Sequence, residues 1–145
     1  ACLEISKPTN VIYARRFLKT LKQKVKDKAA IFPEIQTEYL VKVKDLKSFD
    51  DYYTAPMHGF RDALDYYKSC SAIYVLDQIK VPSLILNAIN DPFLPESCYP
   101  YHLLENQQYV YLQTPHRGGH VGFYLNNNGL YWSEKRAVEF ANTMI

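Results

Sequence analysis

The chain has 145 residues, of which 48% are hydrophobic and 14% aromatic, enough for the packed core of an ordinary domain. Its charged fraction is 22% and its formal net charge is +2, so the overall balance does not require nucleic acid or an anionic membrane as a partner. No apolar run approaches the roughly 20 residues that cross a bilayer, and the first residues lack a signal-peptide pattern. The 3 cysteines are widely spaced, which predicts free thiols in a reducing cytoplasm rather than disulfides or a zinc site.

A helical first region is predicted over residues 1–78. Thr9 or Asn10 is placed to cap a helix in which apolar residues recur at spacings of three and four over Val11–Val25. Its other face is basic over Arg15–Lys28, and a solvated helix face explains these charges more simply than a phosphate or membrane contact.

Two shorter helices follow in this region. The segment Asp45–Tyr53 has the pattern of a capped helix, and we expect it to end near Pro56 because proline disfavours helix at the residue before it. The segment Gly59–Ser69 carries an apolar stripe at helical spacing and predicts another helix.

The second region, residues 79–145, changes character. Val81–Ala88 is a nearly continuous apolar run, the pattern of a parallel strand buried on both faces, and Tyr109–Thr114 is a weaker strand candidate. Residues 95–106 leave room for a helix between these strands, and residues 132–144 show a further helical face. The predicted fold is α/β, with a helical segment before a strand-helix-strand-helix unit whose strands are parallel.

Each predicted strand is followed by a loop that carries one titratable residue. Asp91 lies in the proline-restricted loop Asn90–Pro95, and His120 lies in the glycine-rich loop Gly118–Phe123. Because ligands bind at the carboxyl ends of parallel strands, both loops belong to the edge where sites form. A carboxylate that holds one imidazole nitrogen leaves the other nitrogen able to accept and return a proton. Ordinary hydrogen-bonded surface positions remain the alternative for both residues.

Three stretches together resemble a known family. The sequence is similar to the α/β-hydrolase superfamily, specifically to the branch of YheT-like predicted esterases and their eukaryotic α/β-hydrolase-domain relatives. The similar stretches are Phe49–Phe60 with the following Asp65–Tyr67, then Leu84–Phe93, and finally Gly118–Phe123.

The resemblance implies roles for the two loop residues. In that family the acid follows the seventh strand and the histidine follows the eighth, which corresponds to Asp91 and His120. Residues 1–78 would then be the cap-like segment inserted after the sixth strand, and residues 79–145 the last part of the hydrolase core. The family implies hydrolysis of a carboxylic ester of a lipid or other hydrophobic acyl group, with neither metal nor organic cofactor.

The family's nucleophile is missing from this sequence. A Gly-x-Ser-x-Gly elbow should come before the two loops, and no serine here stands between such glycines. Cys70 precedes both residues in chain order, but it ends a predicted helix and does not resemble a strained elbow. We therefore expect a C-terminal fragment of a serine hydrolase, inactive alone, which self-associates or binds a complementary N-terminal fragment.

Other polar and aromatic residues have less specific patterns. His58 lies in a family-like stretch and either lines a cavity or caps a turn, whereas His102 and His116 are read as structural or solvated. Asp50 and Asp51 are read as caps near a helix start. The tyrosine pairs fit an acyl-binding pocket and core packing equally well. A non-catalytic interaction module that uses the basic helix to meet an acidic partner is the alternative function.

Overall fold

The computed structural model describes residues 2–124 and 129–144, except for the side chain of Cys2. These residues divide into two compact units, one that ends at Ser71 and one that begins at Ala72. The described part of the first unit contains no strand, and the second contains a pair of parallel strands among helices, which confirms the α/β prediction. Residues 125–128, which follow the loop Gly118–Phe123 in the sequence, lie outside the described residues.

The elements are as follows. In the first unit the helices are α1 Cys2–Ile5, α2 Val11–Ile31, α3 Leu46–Phe49, α4 Ala55–Met57 and α5 Ala63–Ser69, with a π-helical turn at Asp50–Thr54 and 3₁₀ turns at Pro8–Asn10 and Glu38–Val41. In the second unit they are β1 Ser83–Leu86, α6 Tyr101–Leu104, β2 Val110–Gln113 and α7 Trp132–Thr143, with 3₁₀ turns at Ala72–Tyr74, Leu76–Gln78 and Glu96–Cys98.

The first unit is built around an apolar core beneath α2. The apolar positions of this helix face inward because they recur every three or four residues, close to the 3.6-residue helical period. The core's buried members are Val25, Leu40, Val43 and Phe49, and the partly buried residues packed on them are Leu18, Leu21, Ile35, Tyr39 and Tyr53. Phe49 has the largest side chain of the four buried members and retains only 4% of its accessible surface.

The segment after the core helix begins with a capping box. The Asp45 carboxylate accepts the Ser48 backbone N–H at 2.7 Å, and the Ser48 hydroxyl accepts the Asp45 N–H at 2.9 Å. The helical segment ends at Met57, one residue beyond Pro56, near which the sequence predicted its end. A π-helical turn, in which Ala55 N–H bonds to the Asp50 carbonyl, precedes the proline and accommodates its missing N–H.

The next helix is shorter than predicted. It begins at Ala63, where the Asp62 carboxylate accepts the Asp65 N–H at 2.8 Å, and not at Gly59. Gly59 has φ +77°, a left-handed conformation that ends the preceding helix and starts a turn.

The sheet consists of β1 and β2 in parallel, with Ser83 opposite Val110 and Leu86 opposite Gln113. Both strands are shorter than the sequence pattern suggested, and all of β1 is half-buried rather than buried on both faces. The described sheet has only two strands, so one edge of each strand has no neighbouring strand, which adds to this exposure. The pairing still continues past β1 through the Asn87 and Ile89 N–H groups.

Helices of the second unit support this sheet. The predicted helix at 95–106 is divided into a 3₁₀ turn and α6, because Pro95 and Pro100 stand immediately before these two pieces. Helix α7 packs on the sheet through a contact between Tyr111 and Phe140, whose ring centroids are 5.4 Å apart. In addition, Arg136 Nε donates to Gln113 Oε1 at 2.8 Å.

Candidate active site

Asp91 is held rigidly at the end of β1. Its N–H donates to the Ala88 carbonyl at 3.1 Å, and one carboxylate oxygen, Oδ1, accepts the Phe93 N–H at 2.8 Å. This side-chain turn spans Pro92, whose ring restricts the backbone between donor and acceptor. The Asp91 side chain is only 2% exposed, so the second oxygen, Oδ2, needs its own partner inside the protein.

His120 lies in the loop after β2, which is attached directly to the aspartate loop. The Asn90 side-chain oxygen accepts the Gly119 N–H at 2.9 Å, and Gly119 itself has φ +56°. A Cβ atom at Gly118 would lie 2.4 Å from the Phe123 ring and 2.9 Å from the Ala88 Cβ. Only glycine therefore fits at this crossing of the two loops, and this close approach sets the position of the histidine.

The two side chains meet in a hydrogen bond. His120 Nδ1 lies 2.9 Å from Asp91 Oδ2. An ionised carboxylate only accepts hydrogen bonds, so the proton of this bond resides on Nδ1, which makes Nε2 the basic nitrogen. The His120 side chain is 53% exposed and its ring stands edge-on to Phe93 at a centroid distance of 5.1 Å. The imidazole is thus fixed by a buried anion on one side and open on the other.

Tyr99, which is half-buried, supports the backbone that leads to Asp91. Its hydroxyl donates to the Ala88 carbonyl at 2.7 Å. Burial, and then the negative charge of Asp91, raise the pKa of the Tyr99 hydroxyl above its ordinary value. Tyr99 therefore stays a neutral donor that fixes the backbone from which Asp91 begins.

Sequence reasoning did not identify Asn90, Phe93 or Tyr99 as part of the site. Asn90 is adjacent to Asp91 and Phe93 lies two residues after it. An asparagine beside an aspartate in a proline-rich turn was the available signal for the loop-to-loop bond. Tyr99 lies 8 positions beyond Asp91 and gave no comparable signal.

The remaining histidines stand apart from this pair. His102, in α6, has a side chain that is 97% exposed, and its Nδ1 lies 3.2 Å from Oε1 of Glu105, the residue after the helix. His116 is exposed on the loop after β2, and His58 is exposed where α4 ends in the first unit. Cys70 is an exposed free thiol after α5, which fits a surface cysteine rather than a nucleophile held on a strained turn.

Asp50 and Asp51 have structural partners. Asp51 Oδ1 accepts the Ala63 N–H at 2.8 Å, and its Oδ2 receives the Lys47 ammonium at 2.7 Å. Asp50 Oδ1 accepts the Thr54 hydroxyl at 2.6 Å. These carboxylates connect the helices of the first unit.

Three tyrosines of the first unit line an open cavity of about 660 Å³. Tyr39 stacks on Tyr52 and Tyr53 at centroid distances of 6.4 and 6.1 Å, and all three contribute to the cavity wall. The Tyr39 hydroxyl is buried without a hydrogen-bond partner among the described residues, and burial raises its pKa to about 12. A second cavity, of about 540 Å³, adjoins the histidine loop in the second unit between Asn90, Gly119 and Trp132.

In the part of the chain that comprises residues 2–124 and 129–144, no three His, Cys, Asp or Glu side chains are grouped so as to bind a metal ion. None of its helices has the length and apolar character of a bilayer-spanning segment.

Comparison with known proteins identifies relatives over most of the chain. YheT of Escherichia coli (strain K12), a protein assigned to the esterases, is 36% identical over 140 residues, which is 92% of this chain and 41% of YheT. Medium-chain fatty acid ethyl ester synthase/esterase 2 of Saccharomyces cerevisiae is 41% identical over 71% of this chain and 23% of its own length. Phospholipase ABHD3 of Mus musculus is 34% identical over 85% of this chain and 31% of its own length.

These relatives show which family the chain belongs to and how much of the family's fold it covers. No protein-family model matches the chain, and no solved structure is similar to it. The chain spans less than half the length of the three relatives just described. The similarities cover most of the chain, and its parallel β1–β2 pair is consistent with part of the same fold. The chain therefore belongs to the α/β-hydrolase superfamily, in the branch that contains the YheT-like esterases, and corresponds to the C-terminal portion of that fold.

Proposed function

We propose that this chain supplies the acid, Asp91, and the base, His120, of a Ser-His-Asp triad in a carboxylic ester hydrolase. The observation that carries the proposal is the 2.9 Å bond between His120 Nδ1 and a carboxylate that is 2% exposed. In this proposal residues 1–78 form a cap-like segment and residues 79–145 the last part of the hydrolase core. The serine nucleophile and the oxyanion-hole amides come from a longer parent polypeptide, since this sequence contains no Gly-x-Ser-x-Gly elbow.

The proposed steps follow from the tautomer that Asp91 imposes. His120 Nε2 takes the proton of the serine hydroxyl as the serine oxygen bonds to the acyl carbon, and Asp91 stabilises the resulting imidazolium. The imidazolium then returns the proton to the departing alcohol, which leaves an acyl-serine. A water molecule, whose proton His120 Nε2 takes, then attacks the acyl-serine and releases the carboxylic acid, and the proton returns to the serine oxygen. None of these steps uses a metal or an organic cofactor.

The proposed substrate is an ester of a hydrophobic acyl group. Relatives of the chain include a medium-chain fatty acid ethyl ester synthase/esterase, a phospholipase and a monoacylglycerol lipase. The substrates in these names are esters that contain acyl chains. The 145-residue chain alone is expected to be inactive because the loss of a triad nucleophile costs roughly a millionfold in turnover in subtilisin.

Fluorophosphonate labelling of the parent protein tests the proposal. The probe reacts with a serine that a histidine activates, so we expect strong labelling of the parent and loss of at least a thousandfold in labelling rate in His120→Ala. The matched control is His116→Ala, which removes an exposed histidine from the same loop and should label normally. Equal labelling of the two variants, or full labelling of His120→Ala, would refute the role given to His120.

A further inference from the structure

Positive charge is concentrated on one helix of the first unit. Helix α2 carries seven basic residues against one acidic residue, Asp27, which gives it a net charge of +6. Since the whole chain carries +2, the remaining residues together carry −4. The basic residues are Arg15, Arg16, Lys19, Lys22, Lys24, Lys26 and Lys28.

This charge is available to an external partner. All of these basic residues except Lys22 are exposed, and Lys22 is half-buried because its ammonium donates to the Val43 carbonyl at 2.6 Å. The ion pairs found among the described residues include none of the exposed six.

The arrangement also destabilises the isolated helix. Several of the cations are four residues apart, as in Lys24 and Lys28, and like charges at that spacing repel. The first turn has no acidic residue to complement the helix dipole. A negatively charged partner would relieve both effects.

Apolar side chains stand among the cations at the start of the helix. Ile12 is 78% exposed, and Tyr13 and Phe17 are 51% and 40% exposed. At 100° per residue, Ile12 and Tyr13 share one broad sector of the helix with Arg16 and Lys19. Residues 11–24 contain no acidic side chain, so this sector offers apolar and cationic groups only.

A groove extends this sector toward α3. It has a volume of about 460 Å³, with Phe17, Leu21 and Leu46 as apolar walls and Arg16 and Lys24 as its cationic wall residues. Asp50 also lines it. An acyl chain matches the apolar walls, and a phosphate matches the guanidinium and ammonium beside them.

We propose that the exposed sector of α2 formed by Ile12, Tyr13, Arg16, Phe17, Lys19 and Lys24 docks on the surface of an anionic phospholipid bilayer. Helices that lie in a bilayer interface combine basic residues with exposed apolar and aromatic ones, as this sector does. Charge complementarity selects the anionic surface, and the apolar side chains select a bilayer over a soluble acidic protein or a nucleic acid. Docking here is independent of ester hydrolysis, because no residue of the sector belongs to the Asp91–His120 pair.

Vesicle co-sedimentation of the 145-residue chain tests the electrostatic part. We expect binding to phosphatidylcholine vesicles that contain about 30 mol% phosphatidylserine and at least tenfold weaker binding to pure phosphatidylcholine, with the difference lost near 1 M salt. The triple variant Arg16→Gln, Lys19→Gln, Lys24→Gln should bind the anionic vesicles roughly a hundredfold more weakly, at roughly fivefold per basic residue. The control triple is Lys42→Gln, Lys44→Gln, Lys68→Gln, which removes the same charge from exposed positions of the same unit and should change binding little.

A second pair of variants tests insertion of the apolar groups. Ile12→Ser should weaken vesicle binding roughly tenfold, whereas Val41→Ser, at a position that is 84% exposed, should not. Circular dichroism of each variant checks that the helices remain folded. Equal losses of vesicle binding in the Arg16/Lys19/Lys24 triple variant and in the control triple variant would overturn the proposal. Equal binding of the unmodified chain to anionic and neutral vesicles would also overturn it. Normal vesicle binding by Ile12→Ser together with complete competition by soluble polyglutamate would overturn it in favour of an acidic macromolecule.

Discussion

The two units of this chain differ in what they bury. The first unit packs Val25 and Phe49 into an apolar core, and its described carboxylate residues are all exposed or half-buried. The second unit buries Asp91, a carboxylate, and surrounds it with hydrogen bonds from Phe93 and His120. Apolar burial stabilises a fold without needing partners, whereas a buried carboxylate is stable only when its oxygens are satisfied. The contrast separates a unit built mainly for packing from one built to hold a polar site.

The largest effect should come from the core of the first unit. Phe49→Ala removes a ring that is 4% exposed and in contact with Tyr53 at a centroid distance of 5.5 Å. We expect a loss of about 3–5 kcal/mol in the free energy of unfolding, from lost burial plus the cavity left behind. Urea unfolding followed by far-ultraviolet circular dichroism measures it. Phe32→Ala, which truncates a ring that is 45% exposed, is the control, and equal losses in the two variants would contradict the assigned core.

The second unit should be sensitive to volume at the crossing of its two loops. Gly118→Ala places a methyl group 2.9 Å from the Ala88 Cβ and closer still to the Phe123 ring, so we expect a loss of about 1–3 kcal/mol. Gly119→Ala adds a methyl group with nothing within 4 Å and should cost only the left-handed strain, about 1 kcal/mol. Fluorescence of the single tryptophan, Trp132, reports unfolding of this unit. If Gly118→Ala were no worse than Gly119→Ala, the close approach of the loops would be disproved.

The smallest effect on stability should come from the cap of α3, where the Asp45 carboxylate of the first unit accepts a backbone N–H. The Ser48 N–H bond lowers the pKa of Asp45, so the ionised cap stabilises the folded state above the unfolded pKa, about 3.9, and this stability disappears as the pH falls through the folded value. Asp45→Ala should therefore cost about 1 kcal/mol at neutral pH and less below pH ~4. Asp45→Asn keeps a good cap and should cost little at either pH. Thermal unfolding at both pH values gives the comparison, which would fail if the Asp45→Ala loss were the same in acid.

Periodicity and loop position predicted much of this architecture. The apolar spacing identified α2 and the two parallel strands, and the strand-loop pattern led to Asp91 and His120 as neighbours at one edge. These predictions succeed because burial imposes periods that are visible in the sequence. The catalytic role of the pair remains a proposal.

Details that depend on tertiary contacts were beyond the sequence. No local pattern indicated the π-helical turn at Asp50–Thr54, and the helix predicted from Gly59 begins only at Ala63, where Asp62 caps it. The bond from Asn90 to Gly119 joins residues 29 positions apart, and the Tyr99 hydroxyl bond to Ala88 depends on how the α6 segment folds back. Such contacts arise only when separate segments meet.

A double-mutant cycle in the parent protein tests the central claim, the proposed Asp91–His120 pair, most directly. The rate of ester hydrolysis would be measured for the parent protein and for His120→Ala, Asp91→Asn and the double variant. If Asp91 acts only through His120, His120→Ala should lower kcat roughly a millionfold, Asp91→Asn roughly ten-thousandfold, and the double variant should be no slower than His120→Ala alone. Multiplicative losses in the double variant, or single variants that hydrolyse the ester at the parental rate, would contradict the assignment.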